Sequence, residues 1–393
     1  MNLGSSQAYI CEPVRTPFGK FNGALASTRS DDLLAGVFTH LKEKIGNKFD
    51  LGEVEDVIIG DSNGAGDDNR NVARMSLLLA KFPSSIPGVT VNRLCGSGAE
   101  AIAQASRLVK TGEASCLIAG GVESMSRAPW IVEKAAEVPT EPKLHQSTVG
   151  WRLVNPLMPS QWTQSLGLCA EQVADELNIS RQFQDEWAYK SHQFADQAWT
   201  NGFHSEWVIM GDKLQRDESI RPETTLQKFS ELKSAFSVNG SLTAGNSSPI
   251  NDGAVATLVT SGKFAREHDL QIVGSIKSVQ VVGVDPHRFT TAPIGAINKL
   301  LAKNNLKVSD IKLWEINEAF AAMVLTVLDG VPGINLDTVN IHGGAIAIGH
   351  PIGASAARVV IDCMRGLRKF GGGLGIAAAC IGVGQGIAVL VES

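Results

Sequence analysis

The stretch VNRLCGSGAE, residues 91–100, places a single cysteine, Cys95, between an apolar run and the start of a helical pattern. A helix N-terminus carries partial positive charge and unpaired backbone N–H groups, so a cysteine there tends toward the reactive thiolate. Glycine at positions 96 and 98 lets a substrate approach the backbone closely. Taken alone, such a cysteine is more often a buried, inert hydrophobe. The rest of the chain has to decide between these two interpretations.

Length, charge and cysteine spacing exclude several classes of protein. A chain of 393 residues exceeds what one hydrophobic core usually serves, and we expect about two or three domains. The formal net charge of -5 and the lack of a Lys/Arg-rich run argue against a nucleic-acid partner. No apolar stretch approaches a membrane span, and the first ten residues do not resemble a signal peptide. We therefore expect a soluble, cytoplasmic protein without a membrane partner.

The six cysteines are scattered along the chain without close CxxC pairs. This spacing argues against a disulfide scaffold and against a zinc knuckle. A cysteine with a special role is therefore expected to be catalytic rather than structural.

Strand and helix patterns alternate through the first part of the chain. Apolar residues at Leu34, Val37, Leu41 and Ile45 recur at helical spacing and predict a helix from Asp31 to about Ile45. Such alternation implies a mostly parallel sheet covered by helices. The other predicted elements are strands over 8–11, 56–60, 89–94 and 115–119 and helices over 71–81 and 97–110.

The same order of elements recurs near the C-terminus. A glycine-rich loop, residues 343–351, carries His350 at the place that Cys95 occupies in the first part. This repetition suggests a duplication, with one half over 1–122 completed by 244–271 and the other over 272–393. The predicted elements of the second half are helices over 294–304, from about 318, and over 355–369, and strands over 311–316, 339–341 and 374–381.

Residues 123–243 differ in composition and hold every tryptophan except Trp314. We interpret this segment as an inserted domain. Its clearest helix runs from an N-cap at Ser180 to Trp199, with Trp187 and Phe194 on one face. An aromatic stripe at this spacing is typical of core packing rather than of a ligand site.

Three further loops follow strands and carry polar or reactive residues that a core does not favour: residues 317–321, 349–351 and 380–384. Loops beyond the carboxyl ends of strands converge where ligands bind in open α/β sheets. We therefore expect Asn317, His350 and Cys380 to lie near Cys95. Together they would supply a nucleophile, its base, a proton donor and a hydrogen-bonding group. Singly, each also has a structural interpretation, as a helix cap, a buried histidine and a strand-end hydrophobe.

Two alternative sites are disfavoured by their neighbours in sequence. A metal site built on His342 and His350 lacks a nearby carboxylate or third histidine. The glycine-rich run over 382–386 is followed by a strand pattern, whereas a dinucleotide fingerprint requires a helix. We interpret this run as a turn whose backbone N–H groups are candidates to face an oxyanion.

These loops together resemble the thiolases, acyl-CoA:acetyl-CoA acyltransferases, and the resemblance spans essentially the whole chain. It implies the thiolase fold of the α/β class: two duplicated βαβ-type halves forming a layered αβαβα core, with an inserted loop domain. It also implies a homodimer or a homotetramer. The motifs that carry it are NRLCGSG at 92–98, AGGVESMS at 119–126, TAGN at 243–246, NDGA at 251–254, NEAFA at 317–321, and residues 343–353 and 380–386.

The resemblance assigns roles to the predicted site residues. Cys95 would be the nucleophile that takes the acyl group, and His350 would draw off its proton. His350 and a water held by Asn317 would stabilise the enolate of acetyl-CoA, while Cys380 would be the acid/base. The backbone N–H groups of Cys95 and Gly382 would form a second oxyanion hole.

Coenzyme A would then be a co-substrate, and no metal or redox cofactor is expected. Ser248 would lie beside the pantetheine, and Arg221 and Lys228 would contact the nucleotide end of CoA from the inserted domain. The further CoA contacts that we expect are Phe236, Ala244 and Phe320.

Departures from the family pattern bear on the subtype. Short-chain acetoacetyl-CoA enzymes tend to carry His-Met before the glycine of the acyl-pocket loop, where this chain has Ser165 and Leu166. Residues 285–290 stand where those enzymes carry a Val-Met-Gly pattern, and they would put Arg288 and Phe289 near the acyl site. Arg288 would be placed to pair with a substrate carboxylate. By contrast, residues 68–75 and 150–156 are similar to degradative thiolases, including those acting on 3-oxoadipyl-CoA.

The sequence thus predicts a degradative 3-ketoacyl-CoA thiolase, an acetyl-CoA C-acyltransferase working through an acyl-cysteine. Two alternatives stay open: a biosynthetic acetyl-CoA C-acetyltransferase, and a non-catalytic CoA-ester or lipid-binding protein of the same fold. Acyl chain length and physiological direction are not determined by the sequence.

Overall fold

The structure, a computed structural model, describes residues 7–134, 141–209, 211 and 213–393. Its strands are β1 (Ala8–Arg15), β2 (Gly19–Lys20), β3 (Asp56–Gly60), β4 (Val89–Val91), β5 (Cys116–Ser124), β6 (Trp130–Val132), β7 (Leu144–Gln146), β8 (Asn251–Ser261), β9 (Ile272–Gly283), β10 (Ile311–Ile316), β11 (Leu374–Ile381) and β12 (Gln385–Glu392). Its helices are α1 (Ser30–Ile45), α2 (Val72–Leu79), α3 (Ser97–Thr111), α4 (Leu166–Glu176), α5 (Arg181–Thr200), α6 (Leu226–Ser230), α7 (Gly262–Glu267), α8 (Ala292–Lys303), α9 (Ala321–Gly330), α10 (Ala345–Ile348) and α11 (Ile352–Lys369).

Most predicted elements are confirmed, with shifts of a few residues at their ends. Ser180 caps α5 as expected, because its hydroxyl accepts a hydrogen bond from the Phe183 N–H. The strand predicted over 339–341 is wrong: only Val339 pairs there, in an isolated parallel bridge to Trp314. The chain turns immediately afterwards, so no ladder can extend.

One ten-stranded sheet runs in the order β10-β11-β12-β9-β1-β8-β5-β3-β4, with β2 beside β8. The central pair of the sheet is β1 and β9. From β1 outward the first half runs β1-β8-β5-β3-β4, and from β9 outward the second half runs β9-β12-β11-β10. The Val339 bridge to β10 takes the position that β4 has in the first half. The same strand arrangement therefore occurs twice, which agrees with the duplication inferred from the order of elements.

The expectation of a mostly parallel sheet is wrong. Only β3–β4, β3–β5 and β10–β11 are parallel among the described main-sheet pairs. Each half adds two strands that return antiparallel, namely β1 and β8 in the first half and β9 and β12 in the second. The helical crossovers produce the parallel pairs, whereas hairpin-type returns, such as the short turn between β11 and β12, produce the antiparallel ones.

Helices α3 and α11 lie between the two halves of the sheet and form the central layer. Every residue of α11 from Gly353 to Leu367 is buried, as expected for a helix enclosed on all sides. Helices α1 and α2 cover the outer face of the first half, and α8 and α9 cover that of the second. The result is the predicted αβαβα layering. No helix in the described ranges is long and apolar enough to cross a membrane.

The segment between β5 and β8 packs on the second half through a buried carboxylate. Glu318 accepts hydrogen bonds from the Trp187 indole N–H at 2.9 Å and the Ser191 hydroxyl at 2.7 Å, both on α5. It also accepts one from the Asn340 side-chain amide at 2.9 Å. Trp187 and Phe229 belong to the same apolar cluster as α8 and α9, so this segment shares the core of the second half.

Glycines allow the first turns of α3 and α11 to touch the backbone of β3 and β5. A Cβ atom on Gly353 would lie 2.2 Å from the Val122 carbonyl oxygen, and one on Gly121 would lie 2.0 Å from the Gly353 carbonyl oxygen. Gly98 is also constrained, because a Cβ atom there would lie 2.8 Å from the Gly353 carbonyl oxygen. Since Cys95 and His350 each precede one of these helices by two residues, this contact brings both loops to one place.

Replacing Gly353 with alanine is expected to destabilise the fold. The added methyl group has only rigid backbone around it, so strands and helix must separate, at a cost of about 1–3 kcal/mol or more. Gly36→Ala is the matched control, because Gly36 is exposed within α1 and a Cβ there meets nothing within 4 Å. Its added helix propensity is expected to be neutral or slightly stabilising. Urea and thermal unfolding of both variants measure this difference, and equal midpoints would contradict it.

Candidate active site

Cys95 lies in a single 3-10 turn, Leu94–Gly96, between β4 and α3. Leu94 adopts a positive φ of 46°, which is uncommon for a residue with a side chain, and the turn keeps Cys95 7% exposed. The backbone N–H groups of Gly382 and of Cys95 itself hydrogen-bond the sulfur, which favours the thiolate. Burial nevertheless raises the pKa of Cys95 to about 11. The expected tendency toward thiolate is therefore wrong, because the desolvation of the Cys95 sulfur outweighs these N–H groups.

A cavity of about 430 Å³ opens onto Cys95 and Gly382, within the size range of small-molecule sites. Its wall combines apolar side chains with neutral polar groups and two charged residues, Glu123 and Arg152. The remaining lining residues are Ser62, Asn63, Asn92, Leu94, Met125, Ala128, Ser147, Thr148, Val149, Gly150, Trp151, Leu153, Leu166 and Ile352.

His350 is fixed at both its backbone and its ring. Its N–H donates to the Asn251 side-chain oxygen at 2.9 Å, and its Nδ1 lies 2.6 Å from the Ser355 hydroxyl oxygen. That hydroxyl donates to the Pro351 carbonyl, so Nδ1 carries the proton and donates to Ser355. The opposite nitrogen, Nε2, is buried and has no hydrogen-bond partner among the described residues. Burial lowers the pKa of His350 to about 4, so the ring is a neutral base at physiological pH.

Asn317 follows β10 and Cys380 lies near the end of β11, and these two strands pair in parallel. The Asn317 N–H donates to the Ala378 carbonyl at 2.8 Å, just after the last residue of β10. Asn317 is fully buried, yet neither its side-chain oxygen nor its nitrogen has a partner in the described part of the chain. A buried primary amide in this state is available to bind water or substrate. The interpretation of Asn317 as a helix cap is not supported, because Phe320 is the N-cap of α9.

Cys380 is fully buried near the end of β11. Burial raises its pKa well above that of a free thiol, and the proximity of the Cys95 sulfur raises it further. The two sulfurs therefore interact electrostatically within one site. The turn that follows, residues 382–384, joins β11 to β12 and directs the Gly382 N–H at Cys95.

A second cavity of about 410 Å³ is lined by three of the six predicted CoA contacts, Arg221, Lys228 and Ala244. Both basic residues are exposed, as binding to phosphate groups requires. The other three contacts lie elsewhere. Ser248 donates its N–H to the Ala319 carbonyl, and Phe236 packs edge-to-face on Phe320 with ring centroids 5.8 Å apart. These three residues adjoin the loop that carries Asn317.

Family models match nearly the entire chain. The thiolase N-terminal domain matches residues 8–263, and the thiolase C-terminal domain matches residues 270–393. The chain belongs to the thiolase family. As a thiolase it is a CoA-dependent acyltransferase.

Relatives and a solved structure agree with this assignment over the full length. The thiolase is 43% identical to the beta-ketoadipyl-CoA thiolase of Pseudomonas knackmussii, over 99% of this chain and 99% of that one. It is also 43% identical to the 3-oxoadipyl-CoA/3-oxo-5,6-dehydrosuberyl-CoA thiolase of Escherichia coli K12, over 98% and 99% of the two chains. The human mitochondrial 3-ketoacyl-CoA thiolase, solved in complex with CoA, superposes with a TM-score of 0.91 at 32% identity, covering 100% of this chain and 99% of that one.

Two residues predicted to lie near the acyl group of the substrate do not line the cavity of this thiolase. Arg288 forms an ion pair with Glu176 and keeps 35% of its side chain exposed, so its charge is already neutralised at the surface. Phe289 is 1% exposed and packs against Phe320 in the core of the second half. Sequence position alone misplaced both, because the short helical turn that holds them faces α4 and α9 rather than Cys95.

Sequence reasoning missed three residues that hold the site together. Ser355 and Asn251 fix His350, as described above. Glu123 accepts hydrogen bonds from the backbone N–H groups of Ser62, at 3.0 Å, and Gly353, at 2.9 Å, and thereby joins the first half to α11. Burial raises the pKa of Glu123 to about 7. Glu123 and Asn251 both lie within family motifs, but nothing in their own spacing identifies their partners.

The raised pKa of Cys95 predicts how the resting thiolase reacts with iodoacetamide. Cys95 lines a cavity, whereas the other cysteines are buried at 0–2% exposure, so the label is expected on Cys95. Only the thiolate reacts with iodoacetamide. Because the pKa of Cys95 is about 11, the thiolate fraction, and with it the alkylation rate, should rise about tenfold per pH unit between about pH 7 and 9.

Peptide mapping after brief labelling, with rates from mass spectrometry, checks this prediction. The Cys95→Ser protein is the control and is expected to lose the label. A rate that levels off before about pH 8 would show a thiolate stabilised by the helix and would contradict the dominance of burial.

Proposed function

We propose that this thiolase works in the degradative direction, cleaving a 3-ketoacyl-CoA with CoA to give acetyl-CoA and a shortened acyl-CoA. The names of the degradative relatives support the direction, and the observation that carries the acyl-transfer chemistry is a cysteine that opens onto a ligand-sized cavity with the Gly382 N–H on its sulfur. The Cys380 thiol interacts with Cys95, and His350 and Asn317 offer an unpartnered imidazole nitrogen and an unpartnered side-chain amide, although these three residues do not line that cavity. Each is a group that acyl transfer by a ping-pong mechanism needs.

In the first step, the Cys95 sulfur attacks the 3-keto carbon of the substrate. Its proton passes to Nε2 of His350, which is neutral, buried and held in the correct tautomer by Ser355. The developing oxyanion is stabilised by the backbone N–H groups of Gly382 and Cys95.

In the second step, the bond between C2 and C3 of the substrate breaks, which leaves the acyl group on Cys95 and releases the enolate of acetyl-CoA. The imidazolium of His350 and a water bound to the Asn317 amide stabilise the enolate oxygen. The Cys380 thiol donates a proton to the enolate carbon, and acetyl-CoA leaves. A raised pKa suits this role, because the thiol remains protonated until the carbanion forms.

In the third step, the thiolate of Cys380 removes the proton of an incoming CoA thiol. The CoA sulfur attacks the acyl carbon and the bond to Cys95 breaks. The His350 imidazolium returns its proton to the leaving Cys95 sulfur, and the shortened acyl-CoA is released. Proton and acyl transfers account for the complete cycle without electron transfer, so the proposal includes no metal or redox cofactor. Arg221 and Lys228 at the second cavity are the proposed contacts of the CoA phosphates.

The names of the relatives support a narrower substrate class. Both the Pseudomonas knackmussii and the Escherichia coli enzymes are named for 3-oxoadipyl-CoA, a thioester with a carboxylate at its far end. We therefore propose a 3-oxo-dicarboxylyl-CoA substrate. With 3-oxoadipyl-CoA, the acyl group left on Cys95 would be succinyl and the products would be acetyl-CoA and succinyl-CoA.

The Cys95→Ala protein tests the acyl-cysteine pathway. It is expected to lose at least about a thousandfold in kcat for thiolysis, since no other group can carry the acyl chain. Cys116→Ala is the matched control, because Cys116 is fully buried at the start of β5 and does not line the cavity that opens onto Cys95. A Cys95→Ala protein that retained CoA-dependent cleavage would disprove the mechanism.

Two measurements separate this function from the alternatives. Intact mass spectrometry after mixing with 3-oxoadipyl-CoA, without CoA, should show a succinyl adduct that maps to Cys95. Failure to form any adduct would favour a CoA-ester-binding protein without turnover. A condensation rate for two acetyl-CoA molecules above the thiolysis rate would favour the biosynthetic alternative.

A further inference from the structure

We propose that Arg152 is the residue that selects the substrate, by pairing with the far carboxylate of a 3-oxo-dicarboxylyl-CoA. The inference rests on the proposed function and assigns its specificity to one side chain. It replaces Arg288, the residue that the sequence pointed to.

The position of Arg152 is the first argument. It lies in the loop between β7 and α4 and lines the cavity that opens onto Cys95. An acyl group bonded to the Cys95 sulfur therefore extends into a space whose wall carries one guanidinium among the described residues. The carbon chain has apolar neighbours in the same cavity, including Met125, Trp151 and Leu166.

The guanidinium is held in place by neutral groups. Its Nη2 donates to the side-chain oxygen of Asn63 at 3.0 Å and to the backbone oxygen at 3.3 Å. Asn63 is fixed in turn, because its N–H donates to Glu123 at 3.2 Å and its side-chain amide donates to the Ser147 hydroxyl at 3.2 Å. This support orients the charge without neutralising it.

The described residues leave Arg152 without a carboxylate partner. No ion pair within the described residues involves Arg152, and its Nε and Nη1 donors have no bond to the described chain. Arg93, by contrast, pairs with Glu100. Glu123, the other charged residue of the cavity wall, does not compete. One of its oxygens accepts from Ser62 and Gly353, and the other accepts from Asn63.

A guanidinium with free donors fits a carboxylate better than it fits a hydrocarbon chain. Its planar fork binds a carboxylate through two parallel, charge-assisted hydrogen bonds. A methyl-terminated acyl chain would instead remove water from Arg152 without replacing those bonds, which is unfavourable. The same side chain therefore attracts a dicarboxylic acyl group and disfavours a monocarboxylic one.

Thiolysis of two substrates of equal chain length tests the proposal. 3-Oxoadipyl-CoA and 3-oxohexanoyl-CoA differ in the terminal carboxylate, and the measured quantity is the ratio of their kcat/KM values. Wild-type protein should favour the dicarboxylic substrate. Arg152→Gln should lower the ratio about 10- to 100-fold, the loss expected for a charged hydrogen-bonded pair. Arg152→Lys should fall between, because it retains the charge but not the fork.

Arg288→Gln is the matched control and should leave the ratio unchanged, because Arg288 is paired with Glu176 outside the cavity. Equal losses on both substrates in Arg152→Gln would overturn the inference, since they would indicate a contact with CoA or a structural role. An unchanged ratio would also overturn it, while leaving thiolysis itself intact. A wild-type protein that cleaved neither substrate would instead refute the proposed function, and the inference with it.

Discussion

The site depends on the close approach of two helix N-termini at the centre of the molecule. Helices α3 and α11 touch each other and the backbone of β3 and β5 where Gly60, Gly98, Gly121 and Gly353 leave no room for a Cβ atom. Cys95 precedes one of these helices and His350 the other, so the same packing constraint positions two residues of the proposed mechanism. Glu123 strengthens the same junction, because its carboxylate binds N–H groups from both halves. The duplicated halves thus supply complementary groups to one site.

Burial is the dominant electrostatic effect in that site. It raises the pKa of Cys95 and Cys380 and lowers that of His350, so the resting groups are neutral. In the proposed mechanism, charge develops only as the reaction proceeds, and the backbone N–H groups of Gly382 and Cys95 and the Asn317 amide would stabilise it. Burial also explains why the N-terminus of α3 does not by itself make Cys95 a thiolate.

Two separate cavities carry the basic residues that we assign to the proposed substrate. Arg221 and Lys228 are exposed at one, which suits a nucleotide with several phosphates. Arg152 is half-buried at the other, and its fixed orientation by Asn63 suits a single carboxylate. The proposed substrate is anionic at both ends, so this division matches its charge and leaves the reacting carbon near Cys95, between groups that are neutral.

The sequence by itself determined most of the elements, their repetition and the candidate reactive residues, because periodicity and glycine-rich loops are local properties. Strand β11 has its predicted bounds, and the loops of Cys95, Asn317, His350 and Cys380 all follow or precede the expected elements. Only the tertiary structure decided the antiparallel returns of the sheet, the tautomer of His350 and the raised pKa of Cys95. It also showed that Arg152, and not Arg288, lines the cavity that opens onto Cys95. These depend on contacts between residues far apart in the chain, such as His350 with Asn251 and Arg152 with Asn63, which no local pattern encodes.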